Sequence, residues 1–240
     1  MIIFGSSNVG LVLLENQDSY AIDTLENGIG FAVVCDGMGG ASGGKIASLT
    51  AVNSFTSVIS DLQPDMTHDE VVKVLDKAIK SANTDIYNRS CNDVTLLGMG
   101  TTLVAAVVIQ NKVYILNIGD SRGYILSDDK IKRITHDHSA VQELVDQGMI
   151  TESQARNHPN KNIITRALGV DKYFEYDLFV ENVHNGDILM LCTDGVTNYV
   201  DDLEIPFEII NNPETVPQRL IDLANSRGGA DNSTVVVINI

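Results

Sequence analysis

Four aspartates share one local setting. Asp36 in "FAVVCDGMGG", Asp120 in "ILNIGDSRG", Asp194 in "ILMLCTDGV" and Asp231 in "GGADNSTVVVINI" each stand at the edge of an apolar run, beside glycine or asparagine and with no basic neighbour. Any one of them reads first as a turn residue. Four together read differently: converging carboxylates repel and raise one another's pKa unless a cation neutralises them. An oxygen-only donor set of carboxylates, backbone carbonyls and water suits Mg2+ or Mn2+, whereas zinc draws on histidine or cysteine. The glycine after Asp36 lets a backbone carbonyl approach such an ion closely.

The elements that must hold these groups follow from periodicity. Strand-like runs fall at 19–24, 30–35, 101–109, 112–118, 122–126, 187–192 and 233–240, with an antiparallel meander in "TTLVAAVVIQNKVYILNIGDSRGYIL". Apolar spacing predicts helices over 44–59 and from 67 to about 87, the second capped by Asp65 or Thr67. "SAVQELVDQGMI" predicts another helix. The polar "TESQARNHPNKN" after it reads as a mobile surface segment. "PETVPQRLIDLANSRGG" predicts a last helix with Gly228 near its C-terminus. Strand blocks flanked by helices fit an α+β layered fold better than a parallel α/β sheet.

Composition narrows the function classes. The chain has 240 residues, 44% hydrophobic and 20% charged, with no linker-like or repetitive stretch, so one domain over 1–240 is expected. Its net charge of −16 argues against nucleic acid as partner. The first residues lack a basic-then-apolar leader, and no apolar run reaches the roughly 20 residues of a membrane span. Three cysteines, Cys35, Cys91 and Cys192, form neither a disulfide framework nor a zinc ribbon. A cytoplasmic protein is the expectation.

The motifs "ENQDSY", "VVCDGMGG", "GMGTTLVAAVV", "NIGDSRGYIL", "THDHSAVQELVDQGMIT", "NHPNKNIITRALG", "CTDGVTNYV" and "ADNSTVVVI" occur in order over nearly the whole chain. Together they resemble the metal-dependent protein phosphatases of the PPM, or type 2C, serine/threonine class, the bacterial subgroup in particular. The resemblance implies a central β-sandwich of two antiparallel sheets flanked by pairs of α-helices, a four-layer αββα arrangement. It also implies two Mn2+ or Mg2+ ions per chain. In that resemblance Asp36 bridges both ions, the Gly37 carbonyl binds one, Asp194 and Asp231 complete the other, and Asp120 with Asp194 serves a third, weaker site. Asp18 of "NQD" resembles the residue that holds the metal-bound waters, Gln17 stands where many members have glutamate, and Asn232 is expected to orient Asp231.

The implied reaction is hydrolysis of phosphoserine and phosphothreonine by a hydroxide bridging the ions. The implied partners are phosphorylated proteins and a serine/threonine kinase whose action is reversed, with a monomer expected. The alternative is a catalytically weakened relative that binds phosphoproteins or acts as a scaffold. No covalent phosphoenzyme is needed, and Cys35 and Cys192, inside apolar runs, read as structural. His136 and His138 in "THDHSA" read as part of a helix start rather than a metal pair.

Two departures bear on substrate. Leu13 stands where the family has a phosphate-gripping arginine, and an apolar side chain cannot replace a fork of N–H donors. Arg122, Arg166, Lys161 and His158 are the candidates to take that part. Met38 occupies the place of a histidine proposed as general acid in animal members, so leaving-group protonation must come from elsewhere.

Overall fold

The structure, a computed structural model, describes residues 1–128, 130–206 and 212–240. Two antiparallel sheets form its centre. One runs β1 (Ile2–Asn8), β11 (Ser233–Asn239), β10 (Ile188–Cys192), β7 (Arg122–Ser127), β8 (Lys130–Arg133). The other runs β2 (Asp18–Thr24), β3 (Gly30–Met38), β5 (Leu103–Ile109), β6 (Lys112–Ile118), β9 (Asp177–Asn182), with the short β4 (Gly100–Thr101) paired to the end of β3.

The alternation of side chains along each strand assigns the layers. In β3, Phe31, Val33 and Cys35 pack beneath α1 (Gly40–Ile59) and α2 (His68–Asn92), together with Phe55, Ile59, Leu75 and Ile79 from those helices. Ala32 and Val34 point the other way and meet Leu189, Leu191, Val236 and Ile238 of the facing sheet. That sheet's outer side, with Met190, Cys192, Val235 and Val237, is covered by Leu220, Ile221 and Ala224 of α6 (Val216–Ser226) and by Val196 of α5 (Asp194–Thr197). The expected α+β sandwich is therefore present. Strands buried on both faces explain why β3, β5 and β11 read as continuous apolar runs.

Local departures have physical causes. The run expected over 101–109 breaks at Thr102, whose hydroxyl is turned to the backbone N–H of Asp36 at 2.9 Å. The first helix begins at Gly40 rather than at 44, because Gly40, Gly43 and Gly44 hide its first turn from a propensity reading. Thr67 caps α2 through a reciprocal pair with Glu70, as one of the two predicted caps. The segment read as mobile carries a short helix, α4 (Glu152–Arg156), capped by Thr151 and Gln154, after α3 (Ala140–Asp146). Among the described residues no helix is long and apolar enough to cross a membrane.

Candidate active site

Asp36 lies near the end of β3, where the strand leaves the sandwich, and Asp18 opens β2 directly opposite it in the antiparallel register. Asp194 is the first residue of α5, separated from β10 by Thr193 alone. Asp120 sits in the turn between β6 and β7, and Asp231 precedes β11. Five carboxylates from five strand ends thus meet at one edge of the sandwich. Backbone contact is tight there: Gly37 and Gly44 approach so closely that a Cβ on either would strike the other's backbone.

The electrostatics report the convergence. Burial, then the charges of Asp194 and Asp231, push the Asp18 carboxyl up to about 7, against the pull of two hydroxyl hydrogen bonds. Asp36 is raised well above the carboxylate range by burial and then by Asp18, Asp194, Asp120 and Asp231. Asp120 is raised by burial, Asp194 and Asp137, and Asp194 by burial and Asp231. Asp231 is raised by burial alone, while the Asn232 backbone N–H and the Lys161 charge hold it back.

Two residues that sequence reasoning missed hold Asp18. Thr234 and Thr193 donate their hydroxyls to its Oδ2 at 2.6 and 3.0 Å. Its other oxygen, Oδ1, is buried with no hydrogen-bond partner, and so is Oδ1 of Asp194. A buried carboxylate oxygen left without a donor is rare and calls for an electropositive partner. Among the described residues no three histidine, cysteine or carboxylate side chains form a ready-made cation cage. Cation binding would therefore draw also on backbone carbonyls and water, as hard ions commonly do. Asn198 donates to Asp194 Oδ2 at 2.9 Å; four residues on in the same helical turn, it was detectable from spacing alone.

Asn232 bonds in two directions. Its backbone N–H donates to Asp231 Oδ1 at 2.8 Å, but its side chain turns away. The amide donates to the carbonyls of Val9 and Glu15 at 2.9 and 3.1 Å and accepts from the Gln17 N–H at 2.8 Å. The side chain braces the chain leading to Asp18, while the backbone N–H is the group that holds Asp231. The Gln17 amide itself donates to the Gly40 carbonyl at 3.0 Å.

The four candidates for gripping a phosphate separate clearly. Arg122 is committed to Asp137 through contacts of 3.0, 3.0 and 2.6 Å and to Asp202 at 3.4 Å. Arg166 sits among His138, Asp177 and Glu175. His158 accepts from the Asn160 N–H within its own turn. The Arg122 charge lowers the pKa of Asp120, whereas Lys161 serves the other side of the cluster: its ammonium donates to Asn198 Oδ1 at 3.1 Å, and its charge lowers the pKa of both Asp194 and Asp231. His136 pairs with Asp146, while buried His138 accepts from the Gly119 N–H, and the helix after them starts beyond the Ser139 cap. Cys35 and Cys192 are buried thiols pushed up by burial, and Cys91 is exposed.

The sequence model of the family described as protein phosphatase 2C matches residues 13–224. A serine/threonine phosphatase of Listeria innocua, stp, is 39% identical over 232 residues, covering 95% of this chain and 92% of that protein. The crystal structure of the Mycobacterium tuberculosis serine/threonine phosphatase PstP/Ppp superposes with a TM-score of 0.90 at 35% identity, covering 98% of this chain and 97% of that one. A catalytic domain of PstP in complex with two manganese ions superposes with a TM-score of 0.86 at 34% identity, covering 98% of this chain and 96% of that one.

Proposed function

The chain belongs to the protein phosphatase 2C family, and on that premise we propose how it works as a metal-dependent serine/threonine protein phosphatase. The observation that carries the reading is the meeting of Asp18, Asp36, Asp120, Asp194 and Asp231, with Asp18 Oδ1 and Asp194 Oδ1 buried and unpartnered. That oxygen-only set fits hard divalent ions, Mn2+ or Mg2+. Asp36 with the Gly37 carbonyl, Asp194 and Asp231 would hold two of them, and Asp120 beside Asp194 a third, weaker one. When bound, the ions cancel the carboxylate charge, acidify an attacking water and neutralise the phosphoryl oxygens.

The chain's own residues do the positioning. Thr193 and Thr234 lock the Asp18 carboxylate in one orientation, so its free oxygen can accept a hydrogen bond from water and aim it in line with the phosphorus. Asn198 fixes Asp194 and carries the Lys161 ammonium beside it, where a cation can meet the anionic phosphate. The Cys35 and Cys192 thiols take no part, since both are buried in the apolar layers. The substrates are phosphorylated proteins, the opposing enzyme is a serine/threonine kinase, and residues 1–240 act as one catalytic unit, monomeric in solution.

The test is direct. With Mn2+ the purified protein should hydrolyse p-nitrophenyl phosphate and a phosphothreonine peptide, and a chelator should abolish both. Equal rates with and without chelator would sink the reading.

A further inference from the structure

Four consecutive apolar residues, Leu11, Val12, Leu13 and Leu14, are 69%, 65%, 42% and 103% exposed. Single exposed apolar side chains are ordinary, but a contiguous run of them marks an interaction site. This run is held in place. The Leu11 N–H donates to the Gly229 carbonyl at 2.7 Å and the Gly10 N–H to Asn8 Oδ1 at 2.9 Å. The Asn232 amide spans the loop's two feet, bonding the carbonyls of Val9 and Glu15. The Asn16 amide adds a bond to Ser7 at 2.8 Å.

Those anchors lie beside the carboxylate site. Gly10, with φ of 81°, packs so tightly on the backbone carbonyl of Asp231 that a Cβ would collide with it. The chain leaving the loop runs through Gln17 into Asp18. The loop is therefore continuous with the surface at which a phosphorylated residue must dock. We propose that Leu11–Leu14 is a specificity element for the phosphatase reaction, packing against apolar side chains that flank the phosphoresidue of a protein substrate. The proposal rests on the phosphatase reading and deepens it.

A substrate segment fits this place better than other partners. In an extended peptide, side chains one or two residues from the phosphate lie within reach of the site's rim, at roughly 3.3 Å per residue. An anionic lipid surface is disfavoured by the chain's net charge of −16.

The experiment compares two phosphothreonine peptides with Mn2+, one with leucines on both sides of the phosphothreonine and one with serines there. The wild type should favour the leucine peptide by about tenfold in kcat/KM, through KM, the size expected for a small apolar contact. The Val12→Ser/Leu14→Ser double variant should bring that ratio to about one. Kinetics on p-nitrophenyl phosphate, which does not span the loop, serve as the fold control. A variant that keeps the preference, or a wild type that shows none, overturns the proposal. So does a wild-type dimer that the double variant makes monomeric, or vesicle binding that the double variant loses. Absence of metal-dependent turnover of p-nitrophenyl phosphate overturns the phosphatase reading itself, and this proposal with it.

Discussion

Asp18 and Asp36 stand directly opposite each other across the β2–β3 pair, a register position where like charges destabilise a sheet. Burial and this neighbourhood push Asp18 up to about 7 and Asp36 well above the carboxylate range. Between the ordinary carboxylate value and these raised ones the folded protein holds protons that the unfolded chain has released, so stability falls as pH rises from about 4 to about 7. The opposite trend, from acids held low such as Glu204 at about 2 through its bond with Arg227, acts below that window. Chelated protein should therefore melt at a higher Tm at about pH 5 than at about pH 8. Mn2+, which replaces the protons and binds best to ionised carboxylates, should raise Tm more at the higher pH. A chelated protein whose Tm climbs steadily across that interval would contradict the carboxylate cluster.

The same repulsion separates activity from stability at single positions. Asp36→Asn removes one charge from the cluster, so the chelated variant should melt above the wild type while its kcat drops at least about a thousandfold, the scale of losing a dominant electrostatic element. Asp231→Asn should lose turnover similarly, with a smaller gain in Tm because Asp231 is the least crowded of the set. Circular dichroism melts and p-nitrophenyl phosphate kinetics on one preparation check both. Near-normal turnover in either variant would move the metal ligands elsewhere.

Much of this architecture is visible in the sequence, and the failures have a pattern. β3, β5, β6, β10 and β11 are interior strands whose β-branched and apolar residues announce them. The three strands that escaped, β1, β8 and β9, are all sheet edges. Edge strands carry polar and charged residues that blunt aggregation, as "KIKR" in β8 does, and so lose the apolar pattern that reveals interior ones. The aspartates were legible because a carboxylate between an apolar run and a glycine is conspicuous. The hydroxyls of Thr193 and Thr234 were not, because they reach Asp18 from 175 and 216 residues away, a distance no local period can span.

Asn232 shows what such long-range bonds contribute. Its buried side chain makes three hydrogen bonds to the backbone of Val9, Glu15 and Gln17. Asn232→Ala leaves two carbonyls and one N–H without that partner. At about 1 kcal/mol for each bond, the loss should be roughly 2–4 kcal/mol. Urea denaturation should show a lower midpoint with little change in slope. Because the brace also sets the approach to Asp18, kcat should fall while the affinity for Mn2+ stays within a few fold. A variant as stable as wild type would show that water replaces the amide without penalty.

Arg122 and Lys161 present opposite answers to the question of what meets the phosphate. Arg122 is 18% exposed, and its guanidinium is shared between Asp137 and Asp202. Asp137→Asn leaves that cation buried with a weakened partner, so it should destabilise the fold by up to about 3–5 kcal/mol, with a lesser change in KM among molecules that remain folded. Lys161 is linked to Asp194 through Asn198, and no carboxylate lies within ion-pair distance of its ammonium among the described residues. Lys161→Met keeps the apolar stem and removes the charge. Its KM for p-nitrophenyl phosphate should rise about tenfold, the scale of one lost charge-assisted contact, with a shift in Tm of only a degree or two. The KM of Lys161→Met should also become less sensitive to salt than that of the wild type, since the attraction being screened is gone. If Lys161→Met instead binds substrate normally and Arg122→Lys does not, the phosphate is held on the Arg122 side of the site.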